Sequence, residues 1–214
     1  MGMQLKRLTI ISKRIACQAF LLIATLGIFS GCAADKGGSY PSQNAGINVY
    51  QTLQKPYNRK DWPHWIDADG DCQNTRQEML IAASRIPVQF KNSKHCTVVN
   101  GEWIGAYTGK VFTKASDVDI DHIVPLAHAH QHGAGKWSRK QRRAFANDFE
   151  NLIVVSDSVN QSKSDKAPHE WLPPLKSYWC EYGKRWERVK DKYKLWYSSQ
   201  ERTALNQLAR TCFE

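Results

Sequence analysis

Asp121 and His122 are adjacent residues whose side chains could together hydrolyse a phosphodiester. That reaction needs an activated water on one side of the phosphorus and neutralisation of the departing oxygen on the other. Neighbouring residues of a strand point in opposite directions, so a carboxylate for a hard cation and an imidazole for a proton can flank one phosphate. An Asp-His pair alone is more often a surface or core pair, so the surrounding sequence has to decide.

Three segments around this pair resemble the ββα-metal core of HNH endonucleases. They are Asp119-Ile-Asp-His-Ile-Val-Pro125, Glu150-Asn-Leu-Ile-Val154 and Asn160-Gln-Ser-Lys-Ser-Asp-Lys166. The first and third also resemble the HNH domain of CRISPR effector nucleases. The closest resemblance is to the secreted HNH family of bacteria, and it extends from Trp65 to Cys212.

The resemblance implies a role for four residues. Asp121 is expected to be a metal ligand, His122 the general base, Asn151 the residue that orients the loop of His122, and Asn160 the second metal ligand. Carboxylate and amide oxygens prefer Mg²⁺, Mn²⁺ or Ca²⁺ over soft metals, and we expect Mg²⁺. The expected reaction is hydrolysis of DNA to 5′-phosphate ends, with RNA left open as a second substrate.

Lys163 and Lys166 follow Asn160 at steps of three residues. On a helix this spacing places both ammonium groups near one face, where they could bind phosphates. The alternative is that both are ordinary exposed lysines. Since the chain has no separate segment for reading bases, we expect phosphate contacts to dominate and sequence specificity to be weak.

A second group of acidic residues is similar to the calcium loop of an EF-hand, although Gly70 stands two places too early and Cys72 is foreign to that loop. Its members are Asp67, Asp69, Asp71 and Glu78. Glu78 with Arg76 could instead support the active site. Three alternating histidines could indicate a zinc site. They are expected instead to be flexible residues near a nucleic-acid groove. They are His128, His130 and His132.

The first 31 residues have the pattern of an export signal, with a basic start, an apolar run from Ile15 to Phe29, and small residues before Cys32. That ending resembles the lipobox of bacterial lipoproteins and predicts lipidation of Cys32 and membrane attachment. Ordinary cleavage and soluble release are the alternative. Residues 32–55 are predicted to be a flexible tether, and 56–214 the nuclease domain with its core at 117–174.

Four cysteines remain after the signal, namely Cys72, Cys96, Cys180 and Cys212. An even number in an exported protein predicts two disulfides, and pairing neighbours closes the shortest of the three possible sets of loops. The formal net charge is +10, and removal of the four basic residues of the signal leaves +6. A basic protein favours a nucleic acid or an anionic surface as its partner, although a solvated basic surface is an equal alternative.

The surrounding elements are predicted from periodicity and capping. Helices are expected at 75–84, from Ser138 to Phe145, from about Ser158, along an aromatic stripe between Tyr178 and Trp196, and at 198–208. Strands are expected at 88–90, 96–99, 118–123 and 151–155, with a hairpin turn at Asn100-Gly101. The predicted fold is therefore α+β, with a ββα-metal centre, flanking helices, short antiparallel strands and two disulfides.

Two rival functions remain open at this stage. The first is a lipoprotein that binds nucleic acid without cleaving it, which would require a damaged Asp-His or Asn position. The second is a structural envelope lipoprotein whose acidic loop binds calcium. Metal-dependent cleavage separates the enzyme from both rivals.

Overall fold

A computed structural model of the chain describes residues 55–213. The predicted signal, the predicted tether up to residue 54 and Cys32 lie outside the described residues. The described residues 55–213 belong to one compact unit. Within them, no helix has both the length and the apolar character needed to cross a membrane.

Within residues 55–213, five strands form two antiparallel sheets. The first sheet has the order β1-β2-β3, and the second is a pair, β4-β5, in which Asp121 faces Ile153 and His122 faces Leu152. The strands are β1 Gln89–Phe90, β2 Val98–Ile104, β3 Val111–Lys114, β4 Val118–His122 and β5 Leu152–Ser156.

In the described part of the chain, six α-helices surround these sheets. They are α1 Thr75–Ala83, α2 Leu126–Gln131, α3 Arg139–Ala146, α4 Asp157–Lys163, α5 Trp179–Lys192 and α6 Ser199–Arg210. The predicted capping boxes are confirmed, because Ser138 and Ser198 each accept a hydrogen bond from the backbone three residues later and receive the reciprocal contact. Mixed helices and small antiparallel sheets confirm the predicted α+β class.

Both faces of the β4-β5 pair are covered. Ile120 and Val154 belong to a core shared with α1 and the three-stranded sheet, whereas Ile153 and Val155 belong to a larger core shared with the helices. Because β5 meets apolar groups on either side, all of its residues are buried and its sequence is continuously apolar from Leu152 to Val155 instead of alternating. The strand that carries Asp121 and His122 is therefore held between two cores.

The predicted turn at Asn100-Gly101 is wrong, because both residues lie inside β2. The strand pairing shifts between Asn100 and Trp103, and a Cβ on Gly101 would lie 2.6 Å from the side chain of Trp103. The glycine thus serves the close approach of an indole ring whose Nε1 donates to the carbonyl of Leu80. The chain turns after β2 instead, where Gly109 has a φ of +70°.

The two disulfides join Cys72 with Cys96 and Cys180 with Cys212. This is the predicted pairing of neighbours. The first ties the segment before α1 to the segment before β2, and the second ties the start of α5 to the end of α6. Closing a loop of this length typically stabilises a fold by ~3 kcal/mol.

The long helix α5 follows the predicted aromatic stripe, with Tyr182, Trp186 and Val189 fully buried. A basic residue of the same helix, Lys190, is also fully buried. The reason is an acidic partner on another helix, Glu201, whose carboxylate lies 2.6 Å from the ammonium group. A periodicity argument applied to one helix cannot see such a partner.

Candidate active site

Two antiparallel strands and the helix after them carry the predicted site residues. β4 ends at His122, β5 begins just after Asn151, and α4 contains Asn160 and Lys163. The helix packs against both strands. Residues that are far apart in the sequence are thereby brought to one edge of the β4-β5 pair.

That edge borders a cavity of about 390 Å³. Three of the predicted site residues line it together: Asp121, His122 and Asn160. The remaining lining residues are Tyr57, Arg59, Ile120, Pro125, Leu126, Ala127, Gln161, Ser164 and Asp165.

The imidazole of His122 is held in one orientation. Its Nε2 lies 2.8 Å from the carbonyl oxygen of Ala146, which can only accept, so Nε2 carries the proton and Nδ1 keeps a free lone pair. The ring stacks on the indole of Trp65 with the centroids 5.6 Å apart. Burial, partly offset by the hydrogen bond to Ala146, lowers the pKa of His122 to about 3. The imidazole is therefore neutral at neutral pH, with the lone pair of Nδ1 unprotonated.

Asn151 is fully buried and fixes the chain that follows His122. Its Oδ1 accepts from the backbone N–H of Val124 at 2.9 Å, and its Nδ2 donates to the Val124 carbonyl at 3.2 Å. Its own carbonyl accepts from the N–H of Ile123. These contacts match those needed for the expected role of orienting the His122 loop, and that role stays a proposal.

The carboxylate of Asp121 has two polar partners. The hydroxyl of Tyr107 donates to Oδ2 at 2.7 Å, and the ammonium of Lys163 lies 2.9 Å from the same oxygen and 3.1 Å from Oδ1. Burial raises the pKa of Asp121 despite both partners. The negative charge of this carboxylate is therefore not fully compensated by its neighbours.

Asn160 is half-buried on α4 and reaches back to β4. Its Nδ2 donates to Oδ2 of Asp119 at 3.0 Å, which leaves the amide oxygen available to another partner. Asp119 and Asp121 lie two residues apart on β4, on the same face of the strand. Asp119 therefore sets the orientation of the amide beside the cavity.

The two lysines of the third segment differ from the expectation that they share an exposed face. Lys163 is fully buried, and besides Asp121 it donates to the carbonyl of His122 at 2.9 Å. Lys166 lies beyond the end of α4, is exposed, and donates to the carbonyl of Ser162. Lys163 is thus placed to hold the Asp121-His122 segment and has no surface for phosphate, because its helix face is covered by β4.

The donor set suits a hard divalent cation. Asp121 and Asn160 supply oxygen ligands on the border of one cavity, and a carboxylate has room for more partners than Tyr107 and Lys163 use. Mg²⁺ is commonly bound by one or two protein oxygens, with waters and substrate phosphate completing its shell. The residues present therefore fit the expected ion.

The acidic loop lies on the surface, where carboxylate oxygens of Asp67, Asp69 and Asp71 fall within 4.8 Å of one another. Asp67 accepts from the backbone N–H groups of Gly70 and Cys72. Burial, followed by the charges of the three aspartates, raises the pKa of Glu78. Calcium binding there stays a prediction.

Arg76, the other residue considered near this loop, lies on α1. Its guanidinium donates to the carbonyls of Ala115 and Val118, each at 3.0 Å. It therefore fixes the start of β4, and so acts on the position of the site through the backbone.

The three alternating histidines are buried, which contradicts the expectation of flexible groove residues. His130 bonds the carbonyl of Lys55, and the rings of His128 and His132 stack 3.7 Å apart. His128, His132 and Glu201 could together supply metal ligands. However, the ammonium of Lys190 lies 2.6 Å from Glu201 and 3.3 Å from Nε2 of His128. A cation is thus already part of this group. We call His128, Lys190, Glu201 and Trp186 the helical ion cluster.

Three contributors to the site were missed from the sequence: Tyr107, Trp65 and Arg59. Tyr107 is fully buried in the loop between β2 and β3, and Trp65 and Arg59 precede the first helix. None belongs to the three HNH-like segments. The only sequence signal was a concentration of aromatic and basic residues between Tyr57 and Trp65, which by itself does not indicate a site.

Residues 74–208 match the family described as GmrSD restriction endonucleases, C-terminal domain. The match spans more than half of the chain, and the protein belongs to this nuclease family. It covers the strands and helix that carry Asp121, His122, Asn151 and Asn160.

A protein described as "Uncharacterized secreted protein" from Arthroderma benhamiae is 46% identical to this chain over 171 residues. The similarity covers 78% of this chain and 82% of that protein. The sequence had suggested a bacterial family. The fungal relative shows that the similarity is not confined to bacteria. No solved structure matches significantly.

Proposed function

We propose that this protein is an exported, metal-dependent DNA endonuclease of the HNH type. The observation that carries the proposal is the convergence of Asp121, His122 and Asn160 on one cavity. Membership of a restriction-endonuclease family supports the reaction class and DNA as the substrate. The two disulfides and the description of the fungal relative as a secreted protein support export.

His122 is the proposed general base. Because Nε2–H is held by the carbonyl of Ala146, Nδ1 is the atom that takes a proton from the attacking water. The water oxygen forms a bond to phosphorus, and the bond from phosphorus to the 3′ oxygen breaks. The products are a 5′-phosphate and, after protonation of the departing oxygen, a 3′-hydroxyl.

Asp121 and Asn160 are the proposed ligands of the divalent cation, for which we favour Mg²⁺. When bound, such an ion neutralises charge on the scissile phosphate and on the departing oxygen. Lys163 and Tyr107 hold the Asp121 carboxylate in place from the buried side. Asn151 holds the backbone after His122, so that base and carboxylate keep a fixed separation.

Binding is proposed to depend mainly on phosphates, with little sequence preference. Lys166 is exposed next to α4 and remains a proposed phosphate contact. RNA is a second candidate substrate, to be tested beside DNA. A lipid anchor at Cys32 concerns a position outside the described residues and also stays a proposal.

The test is cleavage of plasmid DNA and of RNA by the purified exported domain, with Mg²⁺ or with EDTA. We expect EDTA to abolish cleavage and Mg²⁺ or Mn²⁺ to restore it. Asn160→Ala should raise the Mg²⁺ concentration needed for half-maximal activity, typically by ~10-fold or more for loss of a ligand. Ser158→Ala, an exposed change on the same helix, is the control and should leave that concentration unchanged.

Full activity in metal-free buffer would remove the metal from the mechanism. Binding of DNA without cleavage under any metal would favour the inactive nucleic-acid-binding lipoprotein. Calcium binding with neither DNA binding nor cleavage would favour the structural envelope lipoprotein.

A further inference from the structure

The segment Lys55–Trp65 precedes the family match at residue 74, yet it is fixed against the domain. Trp62 is 1% exposed and belongs to the larger core. Asn147 donates to the carbonyl of Pro63 at 2.7 Å, and Trp65 stacks on His122. We call residues 55–65 the N-terminal segment, and it forms one side of the cavity.

Arg59 is the basic residue of this segment that lines the cavity. Its neighbours Lys55 and Asp61 pair with each other at 2.9 Å, and Asp61 also approaches Arg142. Within residues 55–213 no carboxylate forms a salt bridge with Arg59. The guanidinium therefore borders the cavity without an ion-pair partner among the described residues.

Arg59 lines the same cavity as Tyr57, Asp121 and His122, so its guanidinium borders the space that contains the proposed catalytic residues. Burial raises the pKa of Tyr57, and the nearby charge of Arg59 opposes that rise.

We propose that Arg59 binds the non-bridging oxygens of the scissile phosphodiester next to His122, so that the N-terminal segment is part of the substrate site. A guanidinium offers two parallel N–H donors that match two phosphate oxygens. This proposal rests on the proposed nuclease function.

Lys60 provides a matched control. It is the next residue, carries the same charge, is exposed, and does not line the cavity. Arg59→Ala and Lys60→Ala therefore each remove one positive charge and place one alanine in the same short helical turn. Any difference between the two variants therefore reports contact with the substrate. It does not report the electrostatic field of the whole protein, which both variants change alike.

The experiment measures kcat/KM for plasmid cleavage at saturating Mg²⁺ over a range of salt concentrations. Loss of charge-assisted hydrogen bonds should lower kcat/KM of Arg59→Ala by about 10- to 100-fold and flatten the salt dependence of binding by about one charge. Lys60→Ala should change kcat/KM by about twofold or less. Added guanidinium chloride, below denaturing concentration, should partly restore Arg59→Ala but not Lys60→Ala.

Equal effects of the two alanine variants, or absence of guanidinium rescue, would overturn the proposal. Thermal unfolding is measured for both, and if Arg59→Ala is unfolded, Arg59→Lys replaces it, since it keeps the charge but loses the paired donors. If the wild type does not cleave DNA, the proposed function fails separately. Anisotropy of a fluorescein-labelled DNA duplex then tests Arg59 alone, with weaker binding of Arg59→Ala than of Lys60→Ala as the supporting result.

Discussion

Two buried carboxylate–lysine pairs occupy different regions of this protein. At the cavity, Asp121 and Lys163 lie 2.9 Å apart, and in the helical ion cluster, Glu201 and Lys190 lie 2.6 Å apart. Both lysines are fully buried. The pairs look alike in burial and distance, but their surroundings differ.

The difference lies in how completely each carboxylate is satisfied. Burial raises the pKa of Asp121, and Lys163 and Tyr107 do not overcome it. Burial also acts to raise the pKa of Glu201, but hydrogen bonds from its neighbours prevail and lower it to about 2. Those neighbours are His128, Lys190 and Trp186. A carboxylate that borders a cavity and lacks full compensation can take a further positive partner, whereas a saturated one can only hold the fold.

The comparison predicts that changes at the cavity affect the rate. His122→Gly should reduce cleavage by about 10²- to 10⁴-fold, the usual contribution of a general base, while the protein still folds. Because the lost group is a proton acceptor, free imidazole should partly restore the rate, and more so as pH rises and imidazole becomes neutral. Cleavage kinetics with and without imidazole, beside thermal unfolding, measure both effects.

Asp121→Ala is the companion variant, and it should show no imidazole rescue because its lost group is not a proton acceptor for water. Near wild-type cleavage by His122→Gly at saturating Mg²⁺ without imidazole would contradict the assignment of the base.

Changes in the helical ion cluster should affect stability instead. Lys190→Met leaves Glu201 charged, buried and without its main partner, a situation that typically costs about 3–5 kcal/mol. The free energy of unfolding in urea should fall accordingly, while cleavage per folded molecule stays near the wild-type value. The double variant Lys190→Met/Glu201→Gln removes the stranded charge and should recover part of the loss. A stability change below about 1 kcal/mol for the single variant would contradict this picture.

Acid should remove the contribution that Glu201 makes to stability. Because the pKa of Glu201 is lowered from 4.5 to about 2 in the folded state, its contribution to stability is complete above pH 4.5 and is lost as pH falls towards 2. Unfolding midpoints measured across that range should therefore drop less steeply for Glu201→Gln than for the wild type. Parallel curves for the two proteins would show that Glu201 does not contribute to the acid sensitivity.

The sequence by itself determined the parts of the protein that depend on local chemistry. The capping boxes at Ser138 and Ser198 involve residues three positions apart, so they can be read from a short segment. The strand with Asp121 and His122 was recognisable from its pattern. The even number of cysteines predicted two disulfides, whereas their pairing was open among three possibilities, and the structure has the pairing with the shortest loops.

Only the tertiary structure decided which lysines are buried and which residues reach the cavity. From helical spacing alone, Lys163 and Lys190 would be expected to lie on exposed helix faces. Each instead meets a carboxylate on another element, 42 and 11 residues away in the chain. Arg59 reaches the cavity from before the first helix in the same way. Burial of a charge is favourable only where such a partner is supplied, and partners from distant elements meet only when the chain is folded.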